Sequence, residues 1–406
     1  MVGRPYDEER DLAAVTRMWR EVGWIDDSDG QAAGLKTFLS MSKGLVADVH
    51  GEAECLVHRS VGTVHHTGTD LPLCAISAVT TSHVGRRQGL ASALMAEALA
   101  EAVEEGAAVA TLGFFEQGYY DRFGFGTGPY QHRLSFDPAS LQVPVPDRPP
   151  VRLGAEHMRE VHALLARRPR GHGSVVLDPP QWLEPEWSWL ENPFGLGFRA
   201  DDGRLTHALI GSAKDEHGPY VIDVLAHEEP HQVLELLGLV KALGDQVNLV
   251  VVTEEPAGIQ LQDLIREPAR QRRVARLAGG SGALHVTMAS QQDRILDLGA
   301  CIAAVEVATP VAFGLRLRDP IGRFGTWGGI GGEHTVRLGP TSSAEPGLDP
   351  DLPVLDASVG AFTRLWWGVR PASSLALTDD LHGPTDLLAD LDAALRLPTP
   401  QAGWIY

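Results

Sequence analysis

The chain has 406 residues, 44% hydrophobic and 21% charged, which is long enough for two or three domains and too apolar for a disordered chain. Its 53 acidic side chains outnumber 34 basic ones, and the net charge of −19 repels nucleic acid and anionic lipid while drawing cations. No apolar run reaches the ~18–20 residues of a membrane helix, and residues 1–10 are polar, unlike a signal peptide, so a cytoplasmic protein that binds neither nucleic acid nor membrane is expected.

In chain order, Leu12, Val15, Met18 and Trp19 repeat at helical spacing. Residues 44–49 and 53–59 read as strands, and so do 73–81, with Ala75, Ser77, Val79 and Thr81 on one face. Cys55, Cys74 and Cys301 form no CxxC pair, so they are expected to be buried reduced thiols. His65 and His66 have no third ligand at a suitable spacing, and they read as surface or loop residues with no metal. Residues 89–105 predict a long helix with the stripe Leu90, Leu94 and Ala98 and the stop Gly106. Residues 108–112 read as the next strand. Strand, helix and strand in this order predict an α/β fold with a mixed sheet and a crossover helix.

The spaced prolines of residues 143–150, VPVPDRPP, mark a linker. After it Met158, Val161, Leu164 and Leu165 repeat the intervals of the first helix, as a structural repeat would. Strands are expected near 205–211, 220–226 and 248–253, with a helix at 232–243. The basic run 266–276 reads as a solvated helix face, and a softer boundary follows at 278–282. Beyond it come a helix at 294–304, strands at 311–318 and 334–338, and helices at 357–366 and 385–395. Gly328, Gly329, Gly331 and Gly332 predict a hairpin turn rather than a phosphate loop. The expected domains span residues 1–145, 151–288 and 290–406.

The chemistry-bearing stretch is residues 79–91, VTTSHVGRRQGLA, which ends a strand and enters a helix. Arg86, Arg87, Gln88, Gly89, Leu90 and Ala91 spell R-x-x-G-x-A. The first N–H groups of a helix have no internal partner, so with the dipole they make an anion site that Gly89 and Ala91 keep open. This resembles the acetyl-coenzyme A signature of the GNAT (GCN5-related) N-acetyltransferases. A second block, residues 115–126, reads FEQGYYDRFGFG, and its spacing from Gly89 to Tyr120 resembles the Eis (enhanced intracellular survival) family. Residues 294–305 and 356–370, the latter with Leu365, Trp366, Trp367 and Gly368, resemble that family's C-terminal domain, as does the aromatic final residue.

The resemblance implies tandem GNAT-like mixed sheets, the second without a coenzyme turn, followed by a sterol-carrier-protein-like domain. It implies acetyl-CoA as cosubstrate, no metal, an amine acceptor and a homo-oligomer, a hexamer in relatives. The backbone of Val79, Thr80 and Thr81 would bond the pantetheine arm. Residues 86–92, from Arg86 to Ser92, would hold the pyrophosphate, with Phe115 and Glu116 opposite. Tyr120 would be general acid and the carboxylate of Tyr406 general base. Trp24, Asp26, Asp27 and Phe38 would receive a polycation such as an aminoglycoside. His83 and Gly85 depart from residues common in the family, and the loop 168–173 makes the substrate rim the least transferable part. The competing expectation is a non-catalytic lipid- or acyl-CoA-binding protein.

Overall fold

The computed structural model describes residues 3–114, 116–266 and 284–404. Phe115, Tyr406, the boundary at 278–282 and all but the first residue of the basic run lie outside the described residues.

The chain enters through β1 (Arg4–Pro5) and α1 (Glu8–Glu21). Asp7 caps α1 by accepting the Arg10 N–H at 3.0 Å, and Glu8, Glu9 and Asp11 oppose the positive end of its dipole. Its stripe of Val15, Met18 and Trp19 is buried on the sheet. Next come α2 (Asp29–Ser40), β2 (Lys43–Val49), β3 (Glu52–His66), β4 (Thr69–Thr81), α3 (Leu90–Glu104), β5 (Val109–Gly113) and β6 (Gly126–Thr127). β4 and β5 are parallel, joined across the sheet by α3, and Gly106 stops that helix region at φ +91°. The expected elements of this region are therefore present, with β3 and β4 extended into one long hairpin.

The sheets do not divide at residues 145 and 290. The first sheet runs β1-β2-β3-β4-β5, then the strand Gln291–Ile295, then β6, with Val175–Leu177 against β3. The second takes Leu284–Met288, Gln131–Phe136, Val250–Val252, Tyr220–His227, Leu205–Ala213, Pro193–Arg199 and Val151–Leu153 in that order. The third has five strands ordered Ser343–Pro346, Gly332–Leu338, Val311–Arg318, Val354–Ser358 and Leu381–His382. Gly328, Gly329 and Gly331 lie in the connection of the Val311–Arg318 and Gly332–Leu338 hairpin, and Gly332 begins its second strand.

Two expectations are corrected here. Residues 294–304 are not one helix: Gln291–Ile295 is a strand, and a helix follows only at Leu298–Ala303, capped by Asp297 on the Ala300 N–H at 2.9 Å. His66 is not a surface residue; it is buried and stacks on Trp366 with ring centroids 4.4 Å apart. The three cysteines are buried and free.

Candidate active site

β4 and β5 pair from Leu73↔Val109 to Ile76↔Leu112 and no further. Beyond that point β4 stays bonded to β3 as far as Thr81, whereas β5 follows the strand Gln291–Ile295. The two therefore splay, and the edge of residues 77–81 loses its ladder partner on that side. A cavity of about 140 Å³ sits in the fork between Ser77, Ala78, Gly113 and Tyr120. A larger one, about 950 Å³, borders residues 79–81 and the start of α3, a size suited to a cofactor-sized ligand of roughly 300–1,000 Å³.

α3 starts at Gly89 with φ +77°, a conformation glycine adopts at little cost, and no side chain caps it. Gly89, Leu90, Ala91 and Ser92 all line the larger cavity, so an uncapped first turn borders it. Exposed Arg86 and Arg87 line it too, but Gln88 does not; its amide turns back to donate to Val84 O at 2.7 Å. Gly85 packs the preceding turn on β3, where a Cβ would come within 2.7 Å of Glu54 O. Its N–H donates to Ser82 Oγ at 3.0 Å. Close backbone approach thus accounts for glycine at this position. His83 points outward, its N–H donating to Glu21 Oε2 at 3.1 Å.

Tyr120 is 3% exposed and lines both cavities. Tyr119 meets it edge-on, with ring centroids 4.9 Å apart, and Arg122 lies over Tyr119. Burial, with Tyr119 adding to it, raises the Tyr120 phenol well above its ordinary value. The proton therefore stays on the oxygen at neutral pH.

A third cavity, about 870 Å³, shares Gly113 and Ser290 with the large one. The loop expected at the substrate rim supplies Arg168, Pro169, Arg170 and Gly171 to its wall, and residues 401–404 run along another. Asp223, Glu254 and Glu255 line it. Burial raises the Asp223 and Glu254 carboxyls above their ordinary range. Arg168, its pKa pushed down by burial to about 10, donates to the carbonyls of Gly403, Ala402 (3.0 Å) and Val175 (3.2 Å). Arg170 is spent on Asp70 at 2.8 Å and on the carbonyls of Thr63 and Ser174.

Of the expected acceptor residues, Trp24 lines both cavities of the fork and packs edge-on against Trp19 at 5.0 Å. Phe38 is corrected: it is 2% exposed, held among Trp19, Trp182 and Trp189, because it falls on the buried stripe of α2. Asp26 instead accepts the Ser28 N–H at 2.7 Å, and Asp27 pairs with Arg20 at 3.1 Å; neither lines these cavities, nor does Glu116. Sequence reasoning missed Val22, Gly113, Phe114, Arg122 and Ser290. Gly113 and Phe114 were recoverable as the residues just past the expected β5, whereas nothing in the spacing brings Ser290 there.

A parallel strand pair that splays beside an uncapped, glycine-started helix leaves a cleft bordered by an open strand edge and free helix N–H groups, which suits an extended phosphate-bearing ligand. Residues 6–128 match the acetyltransferase (GNAT) domain family, so the chain carries a GNAT acetyltransferase domain over its first third. An uncharacterised N-acetyltransferase of Streptomyces avermitilis is 27% identical over 361 residues, covering 81% of this chain and 79% of that one. The whole chain has the fold of Eis1 from Mycobacterium abscessus, with TM-score 0.77, 18% identity and full coverage of both chains. A GCN5-related N-acetyltransferase from Kribbella flavida gives TM-score 0.74 at 18% identity, over 100% of this chain and 98% of that one. Among the described residues no helix is long and apolar enough to cross a membrane.

Proposed function

We infer that the enzyme moves the acetyl group of acetyl-CoA to a cationic amine, with Tyr120 as general acid. The observation that carries this is the buried phenol of Tyr120 at the meeting of the fork cavity and the large one, next to a third, carboxylate-lined cavity. The pantetheine arm would lie along Val79, Thr80 and Thr81. The pyrophosphate would meet the first turn of α3 with Arg86 and Arg87. The amine nitrogen attacks the thioester carbonyl, the C–S bond breaks, and Tyr120 gives its proton to the departing thiolate. The amine proton leaves to water, assisted by the Tyr406 carboxylate that the Eis resemblance assigns as base.

Asp223, Glu254 and Glu255 suit an ammonium-bearing acceptor, and a bound cation would draw the raised Asp223 and Glu254 carboxyls back down. Aminoglycosides are the first acceptors to test. The same resemblance extends the reading to a sterol-carrier-like fold for the last domain and to a cytoplasmic homohexamer, which sedimentation checks.

Thiol release from acetyl-CoA, screened over aminoglycosides, polyamines and peptide amines, tests the reading. Tyr120→Phe is expected to lower kcat about 100-fold or more while coenzyme A affinity holds. An unchanged kcat removes the general acid, and thiol release with none of these amines favours a binding protein.

A further inference from the structure

The strand Gln291–Ile295 belongs by sequence to the last third of the chain, yet it lies between β5 and β6. Its alternate residues Gln292 and Arg294 both reach the turn that follows Tyr120, the 3₁₀ segment Asp121–Phe123. Gln292 Nε2 donates to Asp121 Oδ1 at 2.7 Å. Arg294 Nη1 donates to Phe123 O, and Nη2 to Asp319 Oδ2 at 2.6 Å. The same turn holds the general acid, since the Phe123 N–H donates to Tyr120 O at 2.9 Å and the Phe125 N–H to the same oxygen at 3.4 Å.

The pair is wholly enclosed: the side chains of Arg294 and Asp319 are 0% and 1% exposed. Trp327 lies under the guanidinium at 5.1 Å. Asp319 is itself fixed, accepting the Ile321 N–H at 3.1 Å and the Ile330 N–H at 2.8 Å. Two glycines leave room for it. A Cβ on Gly124 (φ +83°) would overlap Arg294 Nη1, and one on Gly329 (φ +80°) would overlap the Asp319 carboxylate. Apolar residues of the same size often serve stability as well as a buried ion pair or better, so stability is a weak reason for the pair.

We propose that Arg294 and Asp319 are positioning residues for the acetyl transfer, through which the loop 319–331 of the last third holds the Tyr120 turn against the fork. Arg294 lines none of the three cavities and touches no reacting atom. The proposal rests on Tyr120 as general acid.

Two variants test it, each made with Tyr120 intact and with Tyr120→Phe. Arg294→Met/Asp319→Leu removes both charges together, so neither is left buried alone. Arg294→Lys keeps the charge but cannot span both Phe123 O and Asp319. With Tyr120 present, kcat is expected to fall about 10- to 100-fold in each, since a displacement of about 1 Å is enough. Coenzyme A affinity should stay within about two-fold, and on the Tyr120→Phe background neither variant should cost more than about two-fold. Unchanged kcat in either folded variant, or the same fractional loss with and without the phenol, overturns it. If the double variant does not fold, Arg294→Lys decides by the same two comparisons. If Tyr120→Phe alone leaves kcat unchanged, the general-acid reading fails first and the proposal falls with it.

Discussion

Gly85 and Gly89 lie four residues apart and serve different ends. At Gly89 a Cβ would meet nothing within 4 Å, so only the positive φ asks for glycine, and alanine there costs about 1 kcal/mol of backbone strain. At Gly85 the backbone is ordinary, but a Cβ would press on the main-chain carbonyl of Glu54, which cannot swing aside as a flexible side chain can. Gly85→Ala must therefore move the turn that carries Arg86 and Arg87. The expected outcome is coenzyme A binding weakened about ten-fold, roughly the loss of one charge-assisted hydrogen bond. Calorimetric titration checks it; affinity equal to that of the unsubstituted enzyme would mean that the turn does not hold the coenzyme. Tyr120 differs again: a phenol keeps its proton at neutral pH even in water, and its 3% exposure is a property of the neighbouring Tyr119, Phe123 and Phe125 rings rather than of its own sequence position.

At the scale of elements, residues 401–404 form a strap along the wall of the carboxylate-lined cavity. The Val175 N–H donates to Ala402 O at 3.0 Å, the Gly403 N–H to Glu254 Oε1 at 3.2 Å, and Arg168 gathers the carbonyls. Arg168→Met removes those donors and leaves the Glu254 carboxyl without its cation. Because hydrogen bonds to a charged group are worth about 1.5–3 kcal/mol, the KM for the amine is expected to rise about ten-fold or more, with that for acetyl-CoA unchanged. Steady-state kinetics with each substrate varied separate the two; a rise for acetyl-CoA instead would place the strap on the other side of the reaction. α3, β4 and the turn between them were legible in the sequence because one contiguous stretch builds that half of the site and its buried faces are apolar. The strand Gln291–Ile295 was not legible. Its QQDRI sequence is polar, yet all five residues are buried, with strands on both sides pairing its backbone and Asp319 pairing the Arg294 charge. Periodicity reports apolar faces and is silent about a polar strand inserted from 170 residues away. The acidic wall was missed for the same reason: Asp223 and Glu254 come from different segments that only the second sheet brings together.

Over the whole molecule, the first sheet meets the last third of the chain at a joint of aromatic rings. His66 ends β3, His172 comes from the loop before Val175–Leu177, and Trp366 and Trp367 end the helix Val359–Trp366 of the last third. The His66 Nε2–H donates to Trp366 O at 3.3 Å and the His172 Nε2–H to Trp367 O at 3.1 Å, with the two imidazoles 4.9 Å apart. Burial pushes His66 down to about 4 and lowers His172; elsewhere it pushes His58 to about 3 and His207 to about 4. Each of these imidazoles takes a proton near pH 6.5 in the unfolded chain but not in the folded one. What these imidazoles contribute to stability is therefore full above about pH 6.5 and is lost as pH falls from there towards 4, by up to about 1.4 kcal/mol per pH unit for each. Buried carboxyls work against this: burial raises Asp293 to about 6 and Glu186 to about 7, and shifts Asp223 and Glu254 the same way, so the folded chain holds those protons longer than the unfolded one. Each such carboxyl offsets an imidazole over the range where both shifts apply, so the imidazoles are read one at a time by substitution. His66→Gln keeps an amide N–H for Trp366 O but cannot titrate. Urea unfolding at pH 7, 6 and 5 is expected to show a slope against pH smaller by nearly one proton in this variant. An unchanged slope would mean that the joint between the first sheet and the last third is not where the acid enters.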